Sequence, residues 1–415
     1  MEKYVINGGN KLYGGVKIES AKNAVLPILS ACLLTEDEIL IRNVPKISDV
    51  LNMVKILKSL GVTVDFVGED VLVNSKTLNS YTVPYDLTAT MRSSIFLLGP
   101  LLARLNKVSL SYPGGCDIGI RPIDIHLSSL MQLGVIINEP GEQIICSVDR
   151  KKGGEIYLDF PSVGATENLL MYSVLNEGTT VIHNPAREPE IADLICFLNQ
   201  MGAKIKILHN DNIVIEGVKR LHGTEYKPIS DRIEAGTYLL ACAITGGKIE
   251  IHNANIENIS SLVHKICDNT CKITTSNGII NMISESGGKS FSFETGPYPF
   301  FPTDLQAPTM ALLTLRNGTS LVTENVFEMR FHHVSELVKM GADITVKGRT
   351  AIVKGVKELH GASVKVKDLR GGAALCLAGI SASGRTIIND VKFIERGYYL
   401  FDQKLKALGV DIRKK

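Results

Sequence analysis

The chain has 415 residues, of which 45% are hydrophobic and 21% are charged, with a formal net charge of +2 at pH 7. This length predicts two domains of about 200 residues each, and the small net charge gives no reason to expect a nucleic acid or a membrane as partner. The longest apolar runs are shorter than the roughly 18 residues that a membrane span needs, and MEKYVI does not resemble a secretory signal. We therefore expect a cytoplasmic monomer.

The eight cysteines are too few for a disulfide scaffold in a chain of this length. Most lie in apolar segments, where we expect them to be buried as small hydrophobic residues. Cys267 and Cys271 are spaced C-x3-C, but no second pair lies nearby, so a metal site is a minor alternative. Cys116 differs from the others because it lies in the glycine- and proline-rich loop YPGGCDIGIRP, where a thiol can neither pack nor easily form a disulfide.

Six repeats follow one another along the chain, each of about 70 residues. Each repeat contains a helix end, a small residue and a strand, as in SLGVTV, QLGVII and KMGADI. The small residue falls at six positions, which are Gly61, Gly134, Gly202, Thr270, Gly341 and Gly409. Six similar units of this size divide naturally into three for each domain.

Each repeat also contains a helix that is apolar on nearly every side and must therefore be buried all round. In chain order these helices are predicted in KNAVLPILSACLL, RSSIFLLGPLLA, ATENLLMYSVL, EAGTYLLACAIT, TDLQAPTMALLTL and RGGAALCLAGIS. A short strand, an amphipathic helix and usually a β-hairpin follow each buried helix. The pattern predicts an α/β fold with sheets outside and helices inside, a two-domain inside-out α/β barrel.

The sixth repeat stops at GVDIRKK, one strand short of the others. The N-terminal stretch EKYVINGGNKLYGG is similar to the closing strands of other repeats, which indicates that it completes the last one. We therefore expect domain 1 at residues 22–229 and domain 2 at residues 1–21 and 230–415. The chain would cross twice between the domains, and a ligand cleft between two hinged domains is the default expectation.

Polar residues, charged residues and one glycine stand at the predicted starts of the buried helices. They are Lys22, Asn23, Arg92, Ser162, Gly164, Asp231, Asp304, Asp368 and Arg370. Helix N-termini present free N–H groups and the positive end of the helix dipole, and they bind anions. Ordinary capping is the alternative at Ser162 and Asp304. Basic residues are poor helix starters, so the lysine and the arginines favour an anionic ligand.

Nine motifs, in order along the whole chain, resemble a known family. They are GGVKIESAKNAVLPILSACLL, YPGGCDIGIRPIDIHL, PSVGATEN, REPEIADL, DRIEAGTY, FPTDLQ, ENVFEMRFHHV, DLRGGAAL and ERGYYL. The sequence resembles the UDP-N-acetylglucosamine 1-carboxyvinyltransferases, the enolpyruvyl transferases that open peptidoglycan synthesis. The resemblance implies transfer of enolpyruvyl from phosphoenolpyruvate to the 3-hydroxyl of UDP-N-acetylglucosamine, through a tetrahedral ketal and with release of phosphate. It implies no metal and no organic cofactor.

The resemblance also implies roles for individual residues. Cys116 matches the acid that protonates the methylene carbon and that the epoxide fosfomycin alkylates, and Asp304 matches the carboxylate at the sugar hydroxyl that is assigned as base. Lys22 and Arg396 complete the catalytic set. Phosphoenolpyruvate would be bound by Lys22, Arg92, Arg121, Arg330, Arg370 and Arg396. We expect Glu328 and Asp368 to be the acidic partners of the cleft arginines, and a structural salt-bridge network is the alternative for Arg330 and Arg370.

The sugar nucleotide would be bound by a second set of matched residues. This set is Asn23, Arg92, Arg121, Pro122, Asp124, His126, Ser162, Val163, Gly164, Asp304 and Val326. For His126 the alternative is a helix-start histidine that is bonded to the backbone. Asp304 lies at a predicted helix start, which would lower its pKa and suit positioning better than strong basicity.

Several positions depart from the family's pattern. Phe300 replaces an expected glycine before Asp304, and it would be strained by about 1 kcal/mol or more if that position needs positive φ. Gly371 and Gly372 are expected to loosen a helix start, and Phe160 stands where some relatives carry a lysine. Two alternatives therefore stay open: a paralogue that acts on another nucleotide, and a non-catalytic regulator that binds the sugar nucleotide.

Overall fold

The computed structural model describes residues 2–89, 91–114 and 123–415. The predictions made for Cys116, Arg121 and Pro122 therefore lie outside the described residues. The described chain forms two compact units. We call residues 20–89, 91–114 and 123–229 the first unit, and residues 2–19 and 230–415 the second unit.

The chain begins with two strands of the second unit, β1 (Lys3–Asn7) and β2 (Leu12–Lys17). The strands of the first unit are β3 (Ile39–Ile41), β4 (Thr63–Val67), β5 (Asp70–Asn74), β6 (Lys107–Ser111), β7 (Ile136–Asn138), β8 (Gln143–Ser147), β9 (Glu155–Tyr157), β10 (Thr179–His183), β11 (Lys204–Ile207), β12 (Ile213–Glu216) and β13 (Glu225–Tyr226). Its α-helices are α1 (Lys22–Ala31), α2 (Ser48–Ser59), α3 (Tyr85–Thr88), α4 (Leu98–Leu105), α5 (Asp124–Gln132), α6 (Val163–Ser173) and α7 (Pro189–Gln200). Short 3-10 helices span Cys32–Leu34 and Arg92–Leu97.

The second unit continues in the same alternating order. Its further strands are β14 (Gly247–His252), β15 (Cys271–Ser276), β16 (Ile279–Ser284), β17 (Phe293–Glu294), β18 (Thr319–Thr323), β19 (Asp343–Lys347), β20 (Thr350–Lys354), β21 (Ser363–Lys365), β22 (Arg385–Asn389) and β23 (Asp411–Lys414). Its α-helices are α8 (Arg232–Thr245), α9 (Ser260–Ile266), α10 (Gln306–Leu313), α11 (Val334–Lys339), α12 (Leu369–Ser381) and α13 (Phe401–Ala407). Short 3-10 helices span Ile256–Ile259, Thr303–Leu305 and Val391–Arg396.

Three small sheets form in each unit. In the first unit the strand orders are β13-β3-β5-β4, β6-β8-β7 and β11-β12-β10-β9, and in the second unit they are β21-β22-β1-β23, β15-β16-β14-β2 and β17-β18-β20-β19. Strand β1 pairs antiparallel with both β22 and β23, with Tyr4 opposite Ile388 on one side and Lys414 on the other. Strand β1 thus lies between β22 and β23, the last two strands of the chain.

The apolar helices are buried within the units. In α8, thirteen of fourteen residues are buried, and in α10 all eight are. Caps from side chains satisfy free N–H groups at several of these helix starts: Asp231 accepts from the backbone N–H of Ile233 and of Glu234, both at 2.9 Å. The predicted α/β fold with buried helices is therefore confirmed. Within the described chain, none of the helices is long and apolar enough to cross a membrane.

The repeat glycine ends the amphipathic helix in five of the six repeats. At Gly61, φ is 91°, which lets the N–H of Val62 reach the carbonyl of Leu57 at 3.1 Å and satisfy the end of α2. The same bond follows Gly134, Gly202, Gly341 and Gly409. The fourth repeat, with Thr270 at this position, instead forms a bridge between Asp268 and Cys271.

Candidate active site

Asp304 and two buried arginines form an ion-pair cluster in the second unit. Oδ1 of Asp304 accepts a hydrogen bond from Nη2 of Arg330 at 2.7 Å, and Oδ2 accepts one from Nη2 of Arg370 at 2.9 Å. The arginine side chains are only 6% and 3% exposed, whereas the Asp304 side chain is 24% exposed. The carboxylate therefore stays accessible to a ligand while its two partners are buried.

The charges in this cluster determine the ionisation of Asp304. Burial by itself would raise the pKa of Asp304, but the charges of Arg370 and Arg330 and their hydrogen bonds outweigh burial and hold it well below its usual range. Burial would likewise lower the pKa of Arg370, and the Asp304 carboxylate reverses this and raises it. Asp304 and Arg370 are therefore both charged at neutral pH. The low pKa that we predicted for Asp304 from a helix start is therefore due mainly to the two arginines.

The acidic partners that we predicted for Arg330 and Arg370 were wrong. Glu328 instead lies near the surface, 3.5 Å from a guanidinium nitrogen of Arg349. Asp368 caps the start of α12, where its Oδ1 accepts the N–H of Gly371 at 2.8 Å. The ion-pair partner that Arg330 and Arg370 share is Asp304.

The two glycines at the start of α12 allow close packing. A Cβ at Gly371 would lie 2.6 Å from Oδ2 of Asp368, and a Cβ at Gly372 would lie 2.6 Å from Cγ1 of Ile394. A side chain at either position would require these neighbours to shift. The expectation of a loosened helix start was wrong, because α12 begins with a full aspartate cap against these glycines.

Two further predicted residues lie elsewhere in the second unit. The backbone N–H of Val326 donates to Oε1 of Glu324 at 2.9 Å, in the turn after β18. Arg396 is the last residue of the 3-10 helix Val391–Arg396 and is half-buried. Phe300 is 69% exposed and is not among the described residues with a left-handed backbone, so the predicted strain is absent.

In the first unit, a buried aspartate holds Lys22 at the start of α1. Nζ of Lys22 lies 2.7 Å from Oδ2 of Asp49, and the two side chains are 13% and 3% exposed. Asp49 belongs to the first turn of α2. A lysine beside the positive end of a helix dipole is unfavourable by itself, and the aspartate offsets this repulsion. Asn23 follows on the same helix and is half-buried.

His126 is buried on α5 and bonded to a side chain of α6. Its Nδ1 lies 3.0 Å from Nδ2 of Asn168, and the imidazole is 7% exposed. Burial, together with the positive charge of Arg92, lowers the pKa of His126 to about 3. The imidazole is therefore neutral, and the hydrogen bond that it forms within the described residues is to a side chain rather than to the backbone. Asp124, two residues earlier, is the exposed first residue of α5.

The hydrogen bonds of Asn168 determine which tautomer His126 adopts. Its Oδ1 accepts the N–H of Gly99 at 2.8 Å, and its Nδ2 donates to the carbonyl of Ile95 at 3.0 Å. The amide is thereby oriented with Nδ2 toward the imidazole. Since Nδ2 is a donor, Nδ1 of His126 is the acceptor and the ring proton lies on Nε2.

The start of α6 lies directly against this imidazole. Ser162 caps the helix by accepting the N–H of Ala165 at 3.4 Å, as the capping alternative predicted, and Val163 is the first helical residue. A Cβ at Gly164 would lie 2.8 Å from Cε1 and 3.1 Å from Nε2 of His126. A ring N–H donor and the free N–H groups of a helix start therefore lie together, which suits an acceptor-rich ligand.

Arg92 and Phe160 are the remaining positions of the first unit that the sequence analysis named. Arg92 is the first residue of its 3-10 helix and is half-buried, and burial lowers its pKa. Phe160 is 42% exposed. Asp49 and Asn168, the partners of Lys22 and His126, were not predicted from the sequence. Asn168 lies in the motif PSVGATEN, but no spacing rule connects it to His126.

No group of three or more metal-ligating side chains is placed to hold a metal ion, as far as the described residues extend. Cys267 and Cys271 are both free cysteines.

Comparison with known proteins places these features in a family. Residues 6–405 match the family model of EPSP synthase (3-phosphoshikimate 1-carboxyvinyltransferase). A protein of Caldanaerobacter subterraneus subsp. tengcongensis, named UDP-N-acetylglucosamine 1-carboxyvinyltransferase 2, is 48% identical over 413 residues, with 99% of each chain covered. The Acinetobacter guillouiae protein named UDP-N-acetylglucosamine 1-carboxyvinyltransferase is 45% identical over 416 residues, with 100% of this chain and 99% of the relative covered.

Solved structures share the fold at lower sequence identity. The enolpyruvyl transferase NikO from Streptomyces tendae aligns with a TM-score of 0.90 at 23% identity, covering 100% of this chain and 99% of that one. EPSP synthase from Acinetobacter baumannii aligns with a TM-score of 0.75 at 17% identity, covering 100% of both chains. At these identities the likeness shows the fold alone.

Proposed function

The chain belongs to the EPSP synthase (3-phosphoshikimate 1-carboxyvinyltransferase) family of enolpyruvyl transferases, and on this premise we propose that it transfers enolpyruvyl from phosphoenolpyruvate to the 3-hydroxyl of UDP-N-acetylglucosamine. One observation carries the proposal: curated relatives that match nearly the whole chain at 44–48% identity bear the name of that activity. The reaction would make the protein the enzyme that opens peptidoglycan synthesis.

The reaction consists of an addition and an elimination. In the addition, the 3-oxygen of the sugar bonds to C2 of phosphoenolpyruvate, C3 gains a proton, and the hydroxyl proton leaves to a base. In the elimination, the bond from C2 to the phosphate oxygen breaks, the new methyl group loses a proton, and the vinyl group re-forms on the sugar oxygen. The products are enolpyruvyl-UDP-N-acetylglucosamine and phosphate. We assign the proton delivered to C3 to Cys116, which lies outside the described residues.

Asp304 is suited to holding the sugar hydroxyl. It is ionised, it is partly exposed, and each of its oxygens uses one lone pair on an arginine. A carboxylate has about four lone-pair sites, so an acceptor site remains for the hydroxyl proton. Because its pKa is low, Asp304 serves first to orient the hydroxyl and takes its proton only as the new bond to C2 forms.

The basic residues are suited to the two anionic groups of phosphoenolpyruvate. Lys22 combines an ammonium group with the first N–H groups of α1, and such a helix start favours phosphate. Arg370 and Arg330 are held by Asp304, so their forks are oriented before a ligand arrives. We assign Arg92, Arg121 and Arg396 to the same task because of their places in the matched motifs.

The cluster around His126 is suited to the sugar nucleotide. The Nε2–H of its neutral imidazole and the N–H groups at the start of α6 are donors, and a diphosphate and a uracil both present acceptors. We assign Ser162, Val163 and Gly164 to this ligand, and with them Asn23, Pro122, Asp124 and Val326. The ligand would gain polar contacts here without the cost of protonating the histidine.

Phosphate release from phosphoenolpyruvate tests this function. It is measured with and without UDP-N-acetylglucosamine for the wild type, for Cys116→Ala, and for Cys196→Ala as a control that removes an exposed cysteine. We expect release that needs both substrates, is lost in Cys116→Ala and persists in Cys196→Ala. Absence of release by the wild type at saturating substrates would refute the proposal.

A further inference from the structure

Glu324, directly after β18, is a buried carboxylate that accepts hydrogen bonds at both of its oxygens. It is 0% exposed. Its Oε1 accepts from Oγ1 of Thr295 at 2.8 Å, from the N–H of Val326 at 2.9 Å and from the N–H of Phe327 at 3.0 Å. Its Oε2 accepts from Oγ1 of Thr303 at 2.9 Å. The same carboxylate therefore orders the turn after β18 and the residue that precedes Asp304.

The bond to Glu324 determines the polarity of the Thr303 hydroxyl. A threonine hydroxyl has one proton to donate and lone pairs to accept with. Here the proton is directed to Oε2 of Glu324, so the oxygen of Thr303 presents its lone pairs elsewhere. Nη1 of Arg330 donates to that oxygen at 2.8 Å. If Thr303 turned its proton toward Arg330, two donors would face each other.

The orientation of Arg330 in turn determines the direction of its hydrogen bond to Asp304. Its guanidinium is planar and rigid, so fixing Nη1 against Thr303 also fixes the direction of Nη2. Nη2 is the atom that donates to Oδ1 of Asp304, at 2.7 Å. Cζ of Arg330 lies over the ring of Phe327, 5.3 Å from its centre, and the N–H of Phe327 is bound by Glu324. Nε of Arg330 has no hydrogen-bond partner within the described residues, so the orientation of the fork depends on these contacts.

We propose that Glu324 is a positioning residue, which acts through Thr303 and Arg330 to hold the Asp304 carboxylate in its reactive orientation. The proposal rests on the proposed function, because there Asp304 meets the sugar hydroxyl. Glu324 and Thr303 touch no reacting atom themselves. They act on Asp304 indirectly, through the direction of its hydrogen bond from Arg330 and through the positive charge that Arg330 places beside the carboxylate.

Four substitutions test the proposal. Glu324→Gln places an amide donor among groups that are all donors, and Thr303→Val removes the hydroxyl but leaves Glu324 in place. Thr303→Ser keeps the hydroxyl and serves as the conservative rescue. Thr295→Val is the matched control, because it removes a hydroxyl from the other oxygen of Glu324 and does not contact Arg330 or Asp304 in the described bonds. Circular dichroism establishes that each variant is folded.

Two readouts distinguish positioning from a general loss of structure. The first is kcat and KM for both substrates. The second is the titration of the Asp304 carboxyl carbon by carbon-13 NMR, assigned with Asp304→Asn, which needs no turnover. We expect Glu324→Gln and Thr303→Val to lower kcat by about tenfold to a hundredfold, the scale of a small misplacement at a reacting group. We expect both to raise the pKa of Asp304, because the bond from Arg330 weakens.

Thr303→Ser and Thr295→Val should keep kcat within about threefold of the wild type and leave the Asp304 titration unchanged. The proposal is overturned if the titration is the same in all folded variants, or if Thr295→Val changes it as much as Thr303→Val does. A wild type without turnover would count against the proposed function alone. The titration would then still decide whether Glu324 acts on Asp304.

Discussion

Nδ2 of Asn168 donates to Nδ1 of His126 at 3.0 Å, and this bond determines which nitrogen of the imidazole carries the proton. Asn168 is itself held by a backbone N–H and a backbone carbonyl, so its amide cannot turn without breaking both bonds. The result is a neutral histidine with a hydrogen-bond donor at Nε2. A ligand acceptor can be bound there at any physiological pH.

We predict that His126 stays neutral from about pH 8 down to about pH 4, since burial lowers its pKa to about 3. Nitrogen-15 NMR of the histidines in the wild type and in His126→Gln identifies its signals, and they should show the Nε2–H form throughout. In Asn168→Ala the fixed tautomer should be lost. A His126 that titrates near pH 6.5, or that carries its proton on Nδ1, contradicts this account.

We predict that Gly164→Ala weakens binding of the sugar nucleotide. The added Cβ would lie 2.8 Å from Cε1 of His126, so the imidazole must move away from the start of α6. We expect KM for UDP-N-acetylglucosamine to rise by about tenfold or more, because a small displacement is enough to misalign a hydrogen bond. The matched control is Gly154→Ala, whose Cβ would meet its nearest neighbour, Cδ2 of Leu133, at 3.3 Å. Equal kinetics for the two variants would refute the prediction.

We predict that the buried carboxyl group of Glu167 makes the stability of the folded chain depend on pH. Its side chain is 1% exposed and neither oxygen has a hydrogen-bond partner in the described part of the chain. Burial, and then the charges of Glu190 and Glu188, raises its pKa well above 4.5. The folded chain therefore keeps a proton that the unfolded chain releases above pH 4.5, and the contribution of Glu167 to stability falls as the pH rises.

Glu167→Gln removes this dependence because the amide does not titrate. Relative to the wild type, the variant should gain up to about 1.4 kcal/mol of unfolding free energy for each pH unit above 4.5 over which only the unfolded chain is deprotonated. Urea unfolding at several pH values between about 5 and 8 measures this difference. Glu177→Gln, which changes a glutamate that is 70% exposed, is the control. A constant difference between Glu167→Gln and wild type would show that the buried carboxyl is not protonated.

We predict that fosfomycin modifies Cys116 before any other cysteine. Five of the described cysteines are buried, and the exposed Cys196 and Cys267 have pKa values that partial burial raises, so little thiolate forms there. Peptide mass spectrometry should find a single adduct at Cys116, and no adduct should form in Cys116→Asp. Modification of Cys196 or Cys267 at the same rate would contradict the prediction.

Most of the fold could be predicted from the sequence, because the repeats recur at a regular spacing and their helix-ending bonds are local. Gly61 and its equivalents end their helices through bonds that span a few residues. The short last repeat led us to expect that the N-terminal stretch completes it, and β1 pairs with both β22 and β23. The partners within the site were harder to predict. Asp304 lies 26 residues from Arg330 and 66 residues from Arg370, and nothing in the spacing favours Asp304 over Glu328. The packing of α10 against α12 brings Asp304 close to Arg370, and Arg330 comes from the segment between β18 and α11.

The small residues were misinterpreted for a related reason. Gly371 and Gly372 are flexible in an isolated helix, so propensity predicts a loosened start. In the folded chain their missing side chains make room for Asp368, which caps the same helix, and for Ile394, which belongs to the 3-10 helix Val391–Arg396. Propensity describes a residue's own conformation, whereas a close contact depends on what is packed against it.

The most direct measurement is the mass of the nucleotide after incubation of the protein with phosphoenolpyruvate and UDP-N-acetylglucosamine, with Asp304→Asn in parallel. We predict that the wild type converts UDP-N-acetylglucosamine to a product heavier by one enolpyruvyl group, with one phosphate released for each product formed, and that Asp304→Asn forms far less. A nucleotide of unchanged mass with the folded wild type and both substrates present would contradict it.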